Sequence, residues 1–552
     1  MKTRYLLSVA LLGLLVSGCT DLDVPVKSYY EEYPQPEDIE IQVNTADAFF
    51  AFRGVLGRRF DEGNSMNSDE YTGISFDGDY YNDGDCANFS LHTINYDNCK
   101  NMLNVYNDIL SGITKCNTIL KDVGNDPRYE PQLRAARAFY TFLLMDHWGD
   151  TPILEQTLAD DEAADRAPRA DVAKWIEGEL LAVRDRMPTE VSETTYGTPT
   201  RWMVDALLAK LYINWPVYTK DVTDAAWAYG ENEKLDDCIA ACDDVIGSGI
   251  FALAGGDVNP NPSSAWYGKS DFKMKFFYNN SWEVKDFIYA MPFDAVSIQG
   301  MTYARFRTWR RGQNNNGLYS IEMTKSVGGN FALTPEYSAL FNLPGDRRND
   351  CIVGDGNAET FDVYQYDAYT GEKTDVRNTY NDQPVTFTRK ITLKDQDNHL
   401  NTGNSMEGWC QGYKSIKFFP NITDYNNNGR NQSNDVPIFR FADILLMKAE
   451  AIVRGGTATN GDTPQGLFNQ IRQYAGAPTI ATAPTLQDIE DERGREFLDE
   501  HWRRNDLIRF GHFERPWGFK EQFGSNDPKM RLWPLSIDVL NVNTNWKQNP
   551  GY

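Results

Sequence analysis

Histidine is nearly absent from this 552-residue chain: there are five, none in an H-E-x-x-H or similar cluster. A catalytic zinc site has little to be built from. No C-x-x-C pair occurs among the eight cysteines. The seven beyond Cys19 are odd in number and poorly spaced for a disulfide framework, and most read as small buried apolar residues, Cys238 and Cys242 one helical turn apart among them. Positive charge is also short, 54 Lys and Arg against 79 Asp and Glu, for a formal net charge of -25. Such a chain repels phosphate backbones and anionic lipid surfaces, so nucleic acid is excluded as a partner. Past the first residues no run of apolar residues approaches the length that spans a ~30 Å bilayer.

What is present starts at the N-terminus. Lys2 and Arg4 precede an apolar core from Tyr5 to Val16, and Ser17-Gly18 leads into Cys19. This is a signal peptide over residues 1–18 of the lipoprotein kind, with Cys19 acylated and the mature chain held to a membrane by a lipid anchor. Losing Lys2 and Arg4 deepens the negative charge by two.

Residues 19–552 read as one domain in three parts. In 19–250 helical periodicity recurs over 101–121, over Leu133, Ala136, Tyr140, Leu143 and His147, over 169–187, and over 235–247. Gly149 and Pro152 stop the second of these, and Thr198-Pro199 opens a helix with Met203, Ala206, Leu207 and Leu211 on its apolar face, joined by the stem of Lys210. From 251 to 435 Gly, Asn, Asp and aromatics dominate, with short strand-like runs such as "DFIYAMPF" and "SIKFF". A loop region of that length carries function. In 436–552 "FRFADILLMKAEAIVRGG" returns to a helix, followed by helices around 464–474 and 485–510. The predicted fold is mainly α: a scaffold of tetratricopeptide-like helix hairpins with a loop-rich ligand-binding region containing short strands.

Binding a neutral sugar chain takes flat apolar faces and a few convergent hydrogen bonders. Aromatics in polar loops meet that need, and four stretches supply them. "FDGDYYNDGD" offers Tyr80 and Tyr81 beside Asp77; "YARFRTWRRGQNNNGLY" offers Trp309 among arginines including Arg305; "NSMEGWCQGY" offers Trp409; "SSAWYGKSD" offers Trp266. The arginines of the second stretch also suit an acidic sugar. Asp424, Asn426, Asn428, Gly429 and Asp435 follow the order of an oxygen-rich calcium loop, so one structural calcium is an expectation there; no other cofactor is required. The charge-dense "EDERGREF" and "HWRRND" place Glu492, Arg495, Glu496 and Arg503 at helical spacing, as an ion-pair network between helices.

Four long motifs resemble those of the SusD-like (SusD/RagB) family, in order from about residue 130: "LRAARAFYTFLLMDHWGDTPIL", "DVPIFRFADILLMKAEA", "ERGREFLDEHWRRNDLIRFG" and "LWPLSIDVLNVNTNWKQNPGY". Leu498-Asp499-Glu500-His501-Trp502 replaces the family's usual Glu-Gly pair, a departure expected to touch local packing only. The resemblance implies a lipoprotein on the outer face of an outer membrane that captures oligo- or polysaccharide and hands it to a SusC-like TonB-dependent transporter, with no catalysis. It also implies ligand contacts from loops near the first two aromatic stretches. Two other functions compete: peptide capture by a relative of the same family, and a surface glycoside hydrolase, which needs a carboxylate pair across a cleft.

Overall fold

The computed structural model describes residues 38–78, 84–159, 162–220, 231–253, 272–309 and 318–552. Val43 to Tyr552 form one compact unit; of the separate unit Met1–Gln42 only the start of a helix, Asp38–Phe49, is described. Cys19 lies outside the described residues, and no helix among them is long and apolar enough to cross a membrane.

Nine helices build the scaffold: α1 (Val105–Val123), α2 (Glu130–Trp148), α3 (Arg169–Val183), α4 (Arg201–Ile213), α5 (Leu235–Gly247), α6 (Phe441–Val453), α7 (Pro464–Ala475), α8 (Leu486–Glu496) and α9 (Arg503–Phe510). They pack as successive neighbours: α1 on α2, α2 on α3, α4 on α5, α5 on α6, and α6 on α7. α2 is buried almost all round, which explains its unbroken apolar run from Phe139 to Met145. α1 comes close to it at Gly112, where a Cβ would stand 2.8 Å from the Tyr140 ring. Gly149 ends α2 with φ +76°, as its place in the sequence foretells. α5 has the predicted bounds, with Cys238 and Cys242 buried on its inner face. The seven described cysteines are all buried and free.

Three readings need correction. α4 begins at Arg201 behind the cap Thr200, whose side chain accepts from the Met203 N–H, two residues later than Pro199 suggests. Val436–Arg440 is a buried strand, not the first turn of α6; it pairs antiparallel with Phe287–Met291 and closes the irregular middle of the chain at its base. The stretch read as one helix over 485–510 breaks at 497–502, where Asp499 (φ +62°) and His501 (φ +55°) take left-handed backbone that neither residue prefers. The departure from the family's Glu-Gly pair thus falls on a turn where glycine would relieve strain.

Buried charge ties these parts together. The predicted network between helices exists, and it is larger and drier than its sequence suggests. Arg440 reaches Glu496 at 2.8 Å and Glu500 at 2.7 Å, and pairs with Asp286, which also holds Lys275. Arg348 meets Glu492 at 2.7 Å and Glu496 at 3.2 Å. On the other face of α8, Arg493 bridges Asp443 (2.7 Å) and Asp506 (2.8 Å), and Lys210 pairs with Asp443 at 2.6 Å. Lys210 therefore buries its head as well as its stem. Arg503 turns to Asp69 instead.

Removing one member strands the others in a dry interior, which costs far more than the intact network contributes. Arg440→Leu is expected to lower unfolding stability by about 3–5 kcal/mol, read as a fall in the urea midpoint at unchanged slope. Acid should act the same way. Burial alone would raise the Asp286 carboxyl, but Arg440 and Lys275 outweigh it and hold it at about 2, below its ordinary 3.8. A depressed carboxyl stabilises above its unfolded value, so this contribution is expected to fade as pH falls from near 4 toward 2, and melts across that window check it.

Candidate functional site

Three of the four aromatic stretches converge, and they do so through polar contacts. After the strand Tyr71–Gly73 the chain runs beside Asn401, Ser75 donating its N–H to Leu400 and accepting from Thr402. Asp77 then turns through φ +50°. Asn401 pins it there: the Asp77 N–H donates to Asn401 Oδ1 at 2.9 Å, and Asn401 Nδ2 donates to Asp77 Oδ1 at 3.2 Å. Lys394 Nζ donates to the same carboxylate at 2.8 Å, and the Asn404 N–H to its other oxygen at 3.3 Å. The Lys394 hydrogen bond, with that of Asn401, holds the Asp77 carboxyl below its usual range.

These residues edge a cleft of about 340 Å³, closed on its other side by the short helix Met406–Trp409 and by Gln411. Ser405 caps that helix by accepting from the Gly408 N–H. Gly408 is obligatory, since a Cβ would sit 2.1 Å from the Gly403 carbonyl oxygen. Gln411 ties the floor, accepting from the Thr392 N–H at 2.9 Å and donating to the Glu407 carbonyl at 3.0 Å. Asn404, Ser405 and Glu407 are exposed at the rim. The cleft is near the lower end of ordinary ligand pockets, large enough for a short run of sugar rings with hydroxyl-binding groups on both walls.

The predicted tryptophan platform takes a different form. Trp409 is 8% exposed, and its Nε1 donates to Asn404 Oδ1 at 3.0 Å. Trp309 is wholly buried. Between them stands half-buried Tyr380, edge-on to Trp409 at 5.3 Å and to Trp309 at 6.4 Å. Both indoles therefore pack beneath loops, which corrects their reading as exposed stacking faces: Trp409 props the cleft wall, and Trp309 anchors the chain just ahead of residue 310. The reason lies in long-range packing, because each indole is covered by strands of the insert.

Arg305 does not join the cleft. It sits half-buried on the helix Ala304–Arg307 with its guanidinium 4.7 Å from the Phe306 ring centre. Its neighbour Arg307 is buried between Asp61 and Asp499. Tyr80, Tyr81 and Trp266 lie outside the described residues.

The calcium-loop reading gives way to a helix. Ile422–Asn427 is capped by Asn421, and the four ligand candidates have separate partners or none in common. Asp424 accepts from Ser433, Asn426 Oδ1 accepts from the Thr324 N–H, and the backbone carbonyl of Asn428 accepts from Asn431. Asp435 is buried and accepts from the Phe293 N–H at 2.8 Å. Among the described residues no group of three or more His, Cys, Asp or Glu is arranged to hold a metal. The Asn and Gly spacing serves a turn here.

Reading loops for aromatics missed Lys394, Asn401 and Gln411, and passed over Asn404 and Glu407 beside Trp409. The signal for the last two was on hand, since they share the quoted stretch "NSMEGWCQGY". Lys394 and Asn401 carry no local sign.

With this geometry in place, comparison with known proteins gives a consistent result. The sequence profile of the SusD family matches residues 285–552, and one described as starch-binding, associating with outer membrane, matches residues 55–213. The starch-binding protein SusD of Bacteroides thetaiotaomicron is 24% identical over 476 residues, 81% of this chain and 76% of that protein. A solved laminarin-binding SusD-like protein superposes with a TM-score of 0.65 at 20% identity, covering 94% of this chain and 100% of its own. Surface glycan-binding protein A from Bacteroides thetaiotaomicron, solved with laminarihexaose, does so with 0.65 at 17%, covering 93% and 99%. These structural likenesses fix the fold as the SusD-like helical scaffold.

Asp435 offers a test of the metal reading. Its burial pushes the carboxyl up to about 7. A raised carboxyl favours the folded state below its unfolded value, near 4, and that contribution is lost as pH rises through 7. Asp435→Asn is expected to flatten the fall in melting temperature between pH 5 and 8 by several degrees, and neither calcium nor a chelator is expected to shift either protein's melt.

Proposed function

This chain belongs to the SusD family, and on that premise we propose that it captures oligo- or polysaccharide at the cell surface and delivers it, without cleaving it, to a SusC-like TonB-dependent outer-membrane transporter. The observation that carries the reading is the cleft at which Asp77, Asn404 and Glu407 meet over Trp409. Its walls are carboxylates, carboxamides and a hydroxyl, the groups that hold sugar hydroxyls in pairs. Its one cation, Lys394, is already committed to Asp77, so the described wall favours a neutral sugar over an acidic one. The starch-binding and laminarin-binding relatives support the same class of ligand.

In this reading Cys19 carries the lipid that tethers the protein to the outer membrane, probe-ready as a hinge for a lid over the transporter. A few stacking and hydrogen-bonding contacts give affinity on the order of micromolar or weaker. Weak capture suits a protein that must release its cargo.

Calorimetric titration of the purified protein with neutral oligosaccharides, acidic oligosaccharides and a peptide digest tests this. A neutral glycan is expected to bind without product release. Glu407→Ala and Asn404→Ala are each expected to weaken it about tenfold, the cost of one or two lost hydrogen bonds to a charged or amide group. Binding of peptides alone, or release of shortened sugars, would sink the reading. Separately, labelling with radioactive palmitate is expected to mark the protein and to fail in Cys19→Ala.

A further inference from the structure

A second concavity lies on the loop-rich region, and none of its lining residues belongs to the cleft. It is a groove of about 900 Å³ between the segment 341–357 and the hairpin formed by the strands Tyr364–Tyr366 and Lys373–Arg377. That volume is near the upper end for ligand sites, more than twice that of the cleft. One β-ribbon, Thr360–Asp362 paired with Thr386–Thr388, joins the two concavities. Its Phe361 forms a wall of the groove, while its Thr388 donates to Gln411 Oε1 in the cleft floor.

Three features of the groove point to one kind of ligand. The first is aromatic. Phe361 is half-buried with the Lys373 ammonium 5.9 Å from its ring centre, Tyr366 forms part of the floor, and Tyr369, next to the lining residue Thr370, is 66% exposed. A tyrosine that open, beside a groove, has its ring face available for stacking. Asp367 fixes the turn that presents it, accepting the N–H groups of Tyr369 and Thr370 at 3.0 and 2.8 Å.

The second feature is charge balance. Lys273, Arg347 and Lys373 are set against Asp350, Asp355 and Glu372, leaving no net charge. A polyanion or a polycation gains nothing there, whereas an uncharged polar ligand meets donors and acceptors of both kinds. The third is an acceptor held in reserve. Asn349 Nδ2 donates to the Leu343 carbonyl at 2.8 Å, but its Oδ1 is buried without a hydrogen-bond partner. Asn342 and Asn357 add two more carboxamides to the same wall. An unpaired buried acceptor costs free energy unless a donor arrives, and a ligand hydroxyl is such a donor.

We propose that this groove is a second saccharide-binding site that takes a neutral oligosaccharide, several rings long, in addition to the cleft. The proposal rests on the glycan-capture reading. Two sites joined by one ribbon would let a single chain of sugar be held at two points, raising retention without tight contacts at either.

Titration of the purified protein with laminarihexaose, maltohexaose, xylohexaose and mannohexaose tests it, using Tyr369→Ala/Asn349→Ala for the groove and Glu407→Ala for the cleft. The exposure of Tyr369 makes Tyr369→Ala alone a variant whose melt should match that of the unaltered protein. At least one hexasaccharide is expected to give two binding components. The groove variant should weaken one of them about tenfold and leave the Glu407-sensitive one intact. If the groove variants leave the isotherm unchanged while Glu407→Ala abolishes it, the second site is wrong and glycan capture stands. If no hexasaccharide binds the unaltered protein, both readings fall together.

Discussion

The helix α8 carries charge on two faces and is dry on both. Glu492 and Glu496 look toward Arg348 and Arg440, while Arg493 looks toward Asp443 and Asp506. Desolvating so many ions is costly, and the cost is met only if every partner arrives in register. Those partners come from α4, from the strands at the base of the insert, from the 346–348 turn and from α9. Few alternative packings place all of them at hydrogen-bond distance, so the network selects one arrangement of the loop-rich region on the helices. A core of leucines in the same places would stabilise as well and specify less.

The binding region inherits its geometry from that constraint. Strand Val436–Arg440 ends in the network at Arg440, and its pairing with Phe287–Met291 fixes where the insert leaves and re-enters the scaffold. Asp499, held by Arg307, by Ser415 and by the Tyr71 hydroxyl at 2.6 Å, extends the same control to the segment carrying Trp309 and to the strand leading to Asp77. Its left-handed backbone, like that of His501, is strain that this bonding maintains. Loops that bear ligand contacts are thus pinned at their roots by buried ions, while their rims, at Asn404, Glu407 and Tyr369, stay open to solvent.

The aromatics divide along the same line. Trp309 and Trp409, the residues most suggestive of sugar stacking in the sequence, support Tyr380 and the cleft wall from below. Polar residues that looked ordinary, Lys394 and Asn401, set the position of Asp77. A tryptophan in a Gly- and Asn-rich stretch signals that something must be buried or bound there, and the stretch cannot say which, because the covering strands lie far away in the chain.

Sequence alone determined the helices and the family. Periods of 3.6 residues, Gly149 behind α2, Thr463 and Pro464 at the head of α7 and the capping pair Thr485 and Asp488 on α8 are local signals that act within a turn or two. The charge spacing of "EDERGREF" likewise announced an ion-pair network before its partners were placed. Tertiary structure decided what no local pattern holds: that Val436–Arg440 pairs as a strand, that 497–502 breaks a helix without a glycine, that Asn426 and Asp435 serve separate turns, and which loop aromatics face water. Each of these turns on contacts between residues far apart in sequence, where burial, and the need to satisfy every buried polar group, outweighs local preference.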